Sequence, residues 1–419
     1  MVWLERLHHP EYYIKTFLKW TFLSVIVGII GGLLGAAFHH ALHFVTHVRA
    51  ENNWLIFLLP VGGLLTVAVY RLLRMPKNRG TNEIIDSILQ KKPVSPMVAP
   101  AVFLASALTH LFGGSAGREG AALQIGGSVA SGLGKLLHLK DHNRTILVTC
   151  GMSAVFAGLF GTPLTATIFC MEFTSVGTLF TPALMPCYLS AFLASRVSAA
   201  LGVHAETYLL EAAAALNFAN IGGAVLLAVL VSGLGVAMCH VFHTAEHLAA
   251  HHLPNSWVRI AVGGAVVTIL TLLVGDQRFN GAGMDMAMEA LGGDADWYSF
   301  ALKLLFTAVT LAAGFKGGEI VPTFCIGATF GCVVGGLLGL EPGIAAALGL
   351  IGLFCCVTNS PLASIVLSVE MFGGANLYLF ALVCVICFVL SGNSGLYASQ
   401  IIKYEKIDRY LIKEEKARD

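Results

Sequence analysis

The sequence predicts an all-α, polytopic membrane protein, and three observations predict it. Apolar residues make up 56% of the 419 and charged residues only 12%. An average soluble protein carries about 25% charged residues, so a soluble fold of this size would lack the charges to cover its surface. Apolar stretches follow one another along the chain with short polar breaks, and the mean hydropathy is +0.78. Finally, the chain repeats itself at a spacing near half its length. The same composition excludes a disordered chain, a secreted disulfide scaffold and a coiled coil. The net charge of +1 offers no electrostatic footprint for nucleic acid.

Arg6, Lys15 and Lys19 precede an apolar run from Phe22 to about Ala37 with no cleavage context, so this segment reads as a retained membrane helix and not as a signal peptide. The apolar stretches lie at about 20–47, 54–73, 97–112, 146–172, 178–201, 219–242, 257–275, 299–313, 320–340, 343–372 and 375–391. Several are too short or too rich in glycine for a simple span of about 20 residues. Polar breaks fall at 113–120, 157–163, 314–322 and 357–361. Irregular backbone at membrane depth is tolerated only where protein or a watery cavity covers it, so these breaks are where a site is expected. All ten cysteines sit in apolar stretches, including the pair Cys384 and Cys387. They read as small hydrophobes.

The repeat organises everything else. Gly35, His40, His43 and His47 align with Gly235, His240, His243 and His247. Val61-Gly62-Gly63 matches Val262-Gly263-Gly264, and Gly80-Thr81-Asn82 matches Gly281-Ala282-Gly283. Glu119 matches Glu319, Ile125-Gly126 matches Ile326-Gly327, and Pro163 and Glu172 match Pro361 and Glu370. The chain is therefore expected to be two membrane repeats, 15–210 and 215–410, with a segment 1–14 before them and a short tail 411–419 after. Repeated halves with interrupted helices are a transporter signature, with the substrate near the midplane where the broken helices meet. The repeat predicts that 117–120 converges with 317–322, and 80–82 with 281–283.

Two motifs carry chemistry. In Gly117-Arg118-Glu119-Gly120-Ala121, glycines lead into an apolar helix. Free backbone N–H groups at such a start favour an anion. An ionised Glu119 can occupy the anion position itself and vacate it when protonated, which couples an anion to a proton by direct competition. The bland alternative is a glutamate that only complements the helix dipole. Gly314-Phe315-Lys316-Gly317-Gly318-Glu319-Ile320-Val321-Pro322 repeats the pattern. Carboxylates at membrane depth are costly and functional by default. Here the alternative is a structural ion pair between Glu319 and Lys316. The histidine sets His39, His40, His43, His47 and His240, His243, His247 could suggest a metal, yet they follow an apolar span to its aqueous end and read as an interfacial polar face. Arg71, Arg74, Lys77 and Arg79 form a basic collar that signals topology. A C-terminal helix with six Lys/Arg is expected after Ile401. No phosphate loop is present, which excludes an ATP-driven pump.

Taken together, these motifs resemble the CLC anion channels and antiporters along almost the whole chain. Gly117-Arg118-Glu119-Gly120 matches that family's external-gate motif, and Gly318-Glu319-Ile320-Val321-Pro322 its second helix start. Pro163 to Glu172 and Pro361 to Glu370 match its PLxGxxFxxE-like helices, and Tyr397 its late tyrosine whose hydroxyl faces the anion. The resemblance implies two inverted repeats, a homodimer with one pathway per subunit, a dimer face from about 165–200 and 363–392, and no enzyme activity or cofactor. The few residues after the second repeat leave no room for the regulatory nucleotide-binding domains of larger relatives.

The departures from the family pattern point to one branch. Gly80-Thr81-Asn82-Glu83 stands where the chloride branch carries Gly-Ser-Gly-Ile-Pro, and Ala121 replaces a proline. Both resemble the fluoride/proton antiporters, as does Glu319. Phe173 occupies the position one after Glu172 where chloride/proton exchangers often keep an internal glutamate. Thr81 and Glu83 are less typical of the fluoride branch. The resemblance implies fluoride export driven by inward proton movement. Glu119 and Glu319 would be gate and proton carriers. Arg118, Gly120, Ala121, Ile320, Val321 and Tyr397 would hold the anion, and Gly80, Thr81 and Asn82 would line the inner entrance. The location implied is a bacterial plasma membrane with both termini cytoplasmic. The rivals are a chloride/proton exchanger or chloride channel on the same fold, and a membrane-bound metalloenzyme using the histidine face.

Overall fold

The computed structural model describes residues 10–75, 79–208, 210, 214–404, 406 and 411–416. Arg6, Lys77, Arg409 and Arg418 lie outside the described residues. Among the described residues the first half contributes eight α-helices: α1 (Pro10–Glu51), α2 (Leu59–Leu72), α3 (Thr81–Gln90), α4 (Val98–Leu111), α5 (Glu119–Leu136), α6 (Asp141–Phe160), α7 (Pro163–Glu172) and α8 (Leu184–Ala200). Eight follow in the second half: α9 (Phe218–His252), α10 (Ser256–Val274), α11 (Met284–Leu291), α12 (Ser299–Ala313), α13 (Ile320–Leu337), α14 (Pro342–Thr358), α15 (Pro361–Phe372) and α16 (Leu377–Leu390). Each helix of the first half thus has its counterpart eight places later. Seven segments among the described residues are long and apolar enough to cross a membrane. The others are shorter, as expected where helices stop at midplane.

Glycine sets the closest packing. A Cβ on Gly126 of α5 would collide with the carbonyl of Gly151 on α6, and one on Gly327 of α13 would lie 2.5 Å from the carbonyl of Gly349 on α14. With no hydrophobic drive between helices in lipid, close backbone approach of this kind supplies the contact energy. The two halves interlock through a reciprocal pair of caps. Glu172, ending α7, accepts hydrogen bonds from the N–H groups of Leu362 (3.2 Å) and Ala363 (2.9 Å) at the start of α15. Glu370, near the end of α15, accepts from Leu164 (3.0 Å) and Thr165 (2.7 Å) at the start of α7. Each carboxylate therefore satisfies two of the orphan donors at the helix start of the other half.

Among the described residues the helices are joined by a small sheet of order β1-β2-β3. β1 (Ser175–Val176) runs parallel to β2 (Ile401–Tyr404), and β3 (Leu411–Lys416) runs antiparallel to β2. The helix expected after Ile401 is therefore replaced by strands. Ile401-Ile402 at its start is β-branched, and β1 offers an open edge to pair with. α1 also begins earlier than the apolar run, at Pro10. All ten cysteines are free and buried.

Candidate functional site

The starts of α5 and α13 meet head to head. Gly117 and Gly318, just before the two helices, exchange two backbone hydrogen bonds of 2.6 and 2.8 Å. Only glycine permits this approach, since a Cβ on Gly318 would lie 2.6 Å from the backbone nitrogen of Gly120. The predicted convergence of 117–120 with 317–322 is thus present. The first intrahelical bonds are donated by Ala122 in α5 and Thr323 in α13. The N–H groups of Gly120, Ala121 and Ile320 therefore precede the helical ladder without an intrahelical acceptor, while that of Val321 is taken by the Glu119 side chain.

Glu119 lies in this junction with no exposed surface. One carboxylate oxygen accepts from the backbone N–H of Arg118 at 3.0 Å and of Val321 at 3.1 Å. Its other oxygen is buried and makes no hydrogen bond. The carboxylate thus sits on backbone donors from both halves of the chain. The Arg118 Nε stands 3.9 Å from it. The rest of that guanidinium is drawn elsewhere: it pairs with Glu206, bonds His39 Nδ1 at 3.3 Å and lies 5.4 Å from the ring centre of Phe160.

Two cavities approach the junction and share no lining residue. The first, of about 580 Å³, is lined among others by His39, His43, His47, Arg49, Arg118 and Val321. The second, of about 410 Å³, is lined by Gly80, Thr81, Asn82, Gln124, Lys316 and Glu319 among others. A Cβ on Gly120 would lie 3.2 Å from Glu319 Oε2 and 3.2 Å from Thr81 Oγ1, so both polar groups crowd the start of α5. The Asn82 side-chain carbonyl accepts from the backbone N–H of Ser399 at 3.0 Å and so braces the segment carrying Tyr397. Tyr397 is 1% exposed, packs edge-on to Phe173 at 5.6 Å, and its hydroxyl has no hydrogen-bond partner.

The second predicted convergence fails. Gly80, Thr81 and Asn82 line the second cavity, whereas Gly281, Ala282 and Gly283 line the first. In an inverted repeat equivalent loops fall on opposite sides, so these two do not meet. The Glu319–Lys316 ion pair is also absent. Among the described residues no carboxylate lies within 4.0 Å of Lys316, whose Nζ sits 5.0 Å from the ring centre of Tyr70. The histidines are not a plain interfacial face, since His39, His43 and His47 line the first cavity and His243 the second. Among the described residues no three His, Cys, Asp or Glu side chains gather as metal ligands.

Four residues escaped the reading of the sequence. Arg49 lines the first cavity and Glu206 holds Arg118. Buried His110 lines the same cavity, with Nδ1 bonded to the Ser106 carbonyl at 2.9 Å and Nε2 unpartnered. Lys303, with no exposed surface, donates to Ser115 Oγ (3.0 Å) and to the carbonyls of Phe279 (3.0 Å) and Gly281 (2.7 Å). A lone lysine in an apolar helix was the one available signal for it.

The model of a family described as voltage gated chloride channel matches residues 62–392. A chloride/fluoride channel protein of Pseudomonas syringae pv. tomato is 31% identical over 403 residues, which is 94% of this chain and 89% of that protein. Among solved structures, a CLC-type fluoride/proton antiporter superposes with a TM-score of 0.88 at 30% identity, covering 92% of this chain and 98% of the other. A slow cyanobacterial chloride/proton antiporter gives a TM-score of 0.76 at 21% identity, over 89% and 94%, a likeness of fold alone.

Proposed function

Because this chain belongs to the voltage-gated chloride channel family of ion channels and transporters, we propose that it is a secondary antiporter exporting fluoride in exchange for protons. The observation that carries this reading is the carboxylate of Glu119 resting on N–H donors from Arg118 and Val321. An ionised carboxylate and an anion compete for the same donors. Protonation weakens the hold of Glu119, the side chain leaves, and the anion enters. The return stroke delivers the proton to the other face. One proton thus moves against the anion without any energy source beyond the gradients.

Thr81, Asn82 and Glu319 line the cavity we assign to the inner mouth. Arg79 lines that cavity and Arg71 a chamber that opens into it, in keeping with the excess of basic residues on cytoplasmic faces. Phe173 supports a shared route for proton and anion. It stacks on Phe169 at 4.8 Å with no exposed surface, so no titratable group stands at that position to carry a proton separately. Glu319, beside Gly120, takes that part in our reading. Fluoride is the most strongly hydrated halide, and its site must replace that water with dense donors. The free N–H groups of Gly120, Ala121 and Ile320, with the unpartnered Tyr397 hydroxyl, provide them. The names of the relatives above, one for chloride and fluoride and one for fluoride and protons, support the same substrate.

We further assign the protein to a bacterial plasma membrane with both termini cytoplasmic, and to a homodimer through about 165–200 and 363–392. Apolar side chains exposed there, among them Leu184, Phe192, Tyr378 and Val385, suit such a face. Efflux from proteoliposomes, followed with fluoride and chloride electrodes and a pH electrode together, tests the function. Fluoride efflux with proton uptake is expected. Equal chloride efflux would instead favour a chloride exchanger, and flux without pH change a channel.

A further inference from the structure

The end of α2 and the start of α10 enclose a chamber of about 140 Å³ that the transport pathway does not use. Tyr70, Arg71, Arg259 and Lys316 line it, with Thr66 and Ser256, and among the described residues no carboxylate does. Among the described residues none of the three cations has a carboxylate within 4.0 Å. Two donors facing this space are orphaned. The Tyr70 hydroxyl belongs to a side chain 5% exposed and makes no hydrogen bond, and the Arg259 Nε is buried and equally unpartnered. Lys316 is held over the Tyr70 ring at 5.0 Å and Arg71 over Trp257 at 5.1 Å, so these two cations rest on aromatic faces and not in direct ion pairs. Glu246, Glu83 and Glu319 act on Lys316 only from beyond ion-pair distance; buried donors without acceptors are uncommon, and gathered positive charge without a direct partner is costly.

We propose that this chamber is a second anion site, distinct from the junction at Glu119, and that it takes a small inorganic anion. One such anion would accept from the Tyr70 hydroxyl and the Arg259 guanidinium and neutralise Lys316. Arg259, Gly314 and Lys316 line both the chamber and the second cavity, so the chamber is a side room of the aqueous vestibule and fills from it. Its size admits a halide with a few waters, and its remaining wall of Val67, Ile260 and Ala313 offers nothing to a larger polar ligand. Occupancy sets the charge that Lys316 presents to the vestibule three residues from Glu319. The site does not depend on which halide is carried across the membrane.

Calorimetric titration of the purified, detergent-solubilised protein with sodium fluoride and with sodium chloride tests the proposal, alongside mass spectrometry for retained phospholipid. An anion-binding step is expected that Tyr70→Phe weakens about tenfold, the worth of one hydrogen bond to a charged group. Arg259→Gln abolishes it, and Glu119→Gln leaves it in place. Tyr70→Phe keeps the ring beneath Lys316, so it decides the matter alone if Arg259→Gln does not fold. Absence of the step, or a step indifferent to Tyr70→Phe, overturns the proposal. So does a phospholipid held by the wild type and lost from both chamber variants, which would make the occupant a lipid headgroup. Loss of proton coupling in the efflux assay with this step intact would count against the transport reading only.

Discussion

The carboxylate of Glu119, in the first half of the chain, accepts a hydrogen bond of 3.1 Å from the backbone N–H of Val321 in the second. In the proposed mechanism the gating carboxylate and one of the donors it covers thus come from different halves of the chain.

Glu319→Gln is expected to abolish coupled transport while the protein still folds. Its carboxylate crowds the start of α5 beside Thr81, without an ion pair to Lys316. Two carboxylates at one anion site do not readily ionise together, so a proton can pass between them as the anion moves. If Glu319 served only to neutralise Lys316, the double variant Lys316→Met with Glu319→Gln would recover activity. We expect it to stay inactive in vesicle efflux with pH recorded in the same cuvette.

Replacing Thr81 and Asn82 by Ser and Gly should lower the fluoride-to-chloride flux ratio by about tenfold, the scale of one charge-assisted hydrogen bond. The change also removes the acceptor for the Ser399 N–H, at a cost of about 1 kcal/mol. The melting temperature should therefore fall slightly. A preserved flux ratio would take this loop out of the selectivity argument.

Glu206 and Glu119 compete for one guanidinium. Glu206 holds the Arg118 terminal nitrogen, while Arg118 Nε stands 3.9 Å from the unpartnered oxygen of Glu119. Glu206→Gln should free Arg118 to pair with the gate and slow fluoride and proton flux together by about tenfold, with the exchange ratio unchanged. Glu206→Asp should recover most of the rate. Wild-type flux in Glu206→Gln would show that the pair does not restrain Arg118.

The reciprocal caps give a stability prediction independent of transport. Glu172→Ala and Glu370→Ala each leave two helix-start donors unsatisfied, and each should cost about 1–3 kcal/mol. Thermal unfolding in detergent should show similar losses for the two. A loss confined to one variant would break the equivalence of the halves at this point.

Much of this was readable from the residues, because the repeat puts chemistry-bearing positions in register. Glu119 with Glu319, and the convergence of their helix starts, follow from glycines leading into apolar runs. Glu172 and Glu370 were found as matches, but their role as caps across the halves depends on a contact 191 residues apart for Glu172 and Ala363. The loops 80–82 and 281–283 misled, since sequence equivalence carries no information on which side of the membrane each one faces. Glu206 and Arg49 were invisible because single charges in connecting segments and at helix ends look like ordinary solvated groups. The C-terminal strands were missed because basic side chains say little about backbone state, while the pairing edge of β1 lies more than 200 residues away.

The competition of Glu119 with the anion is tested most directly by Glu119→Gln in proteoliposomes, with fluoride and pH recorded together. Glutamine keeps the shape and loses the exchangeable proton and the charge. The account predicts that fluoride still moves down its own gradient while proton uptake disappears, and that an imposed pH gradient no longer drives fluoride efflux. Proton-coupled efflux at the wild-type exchange ratio in this variant would contradict it.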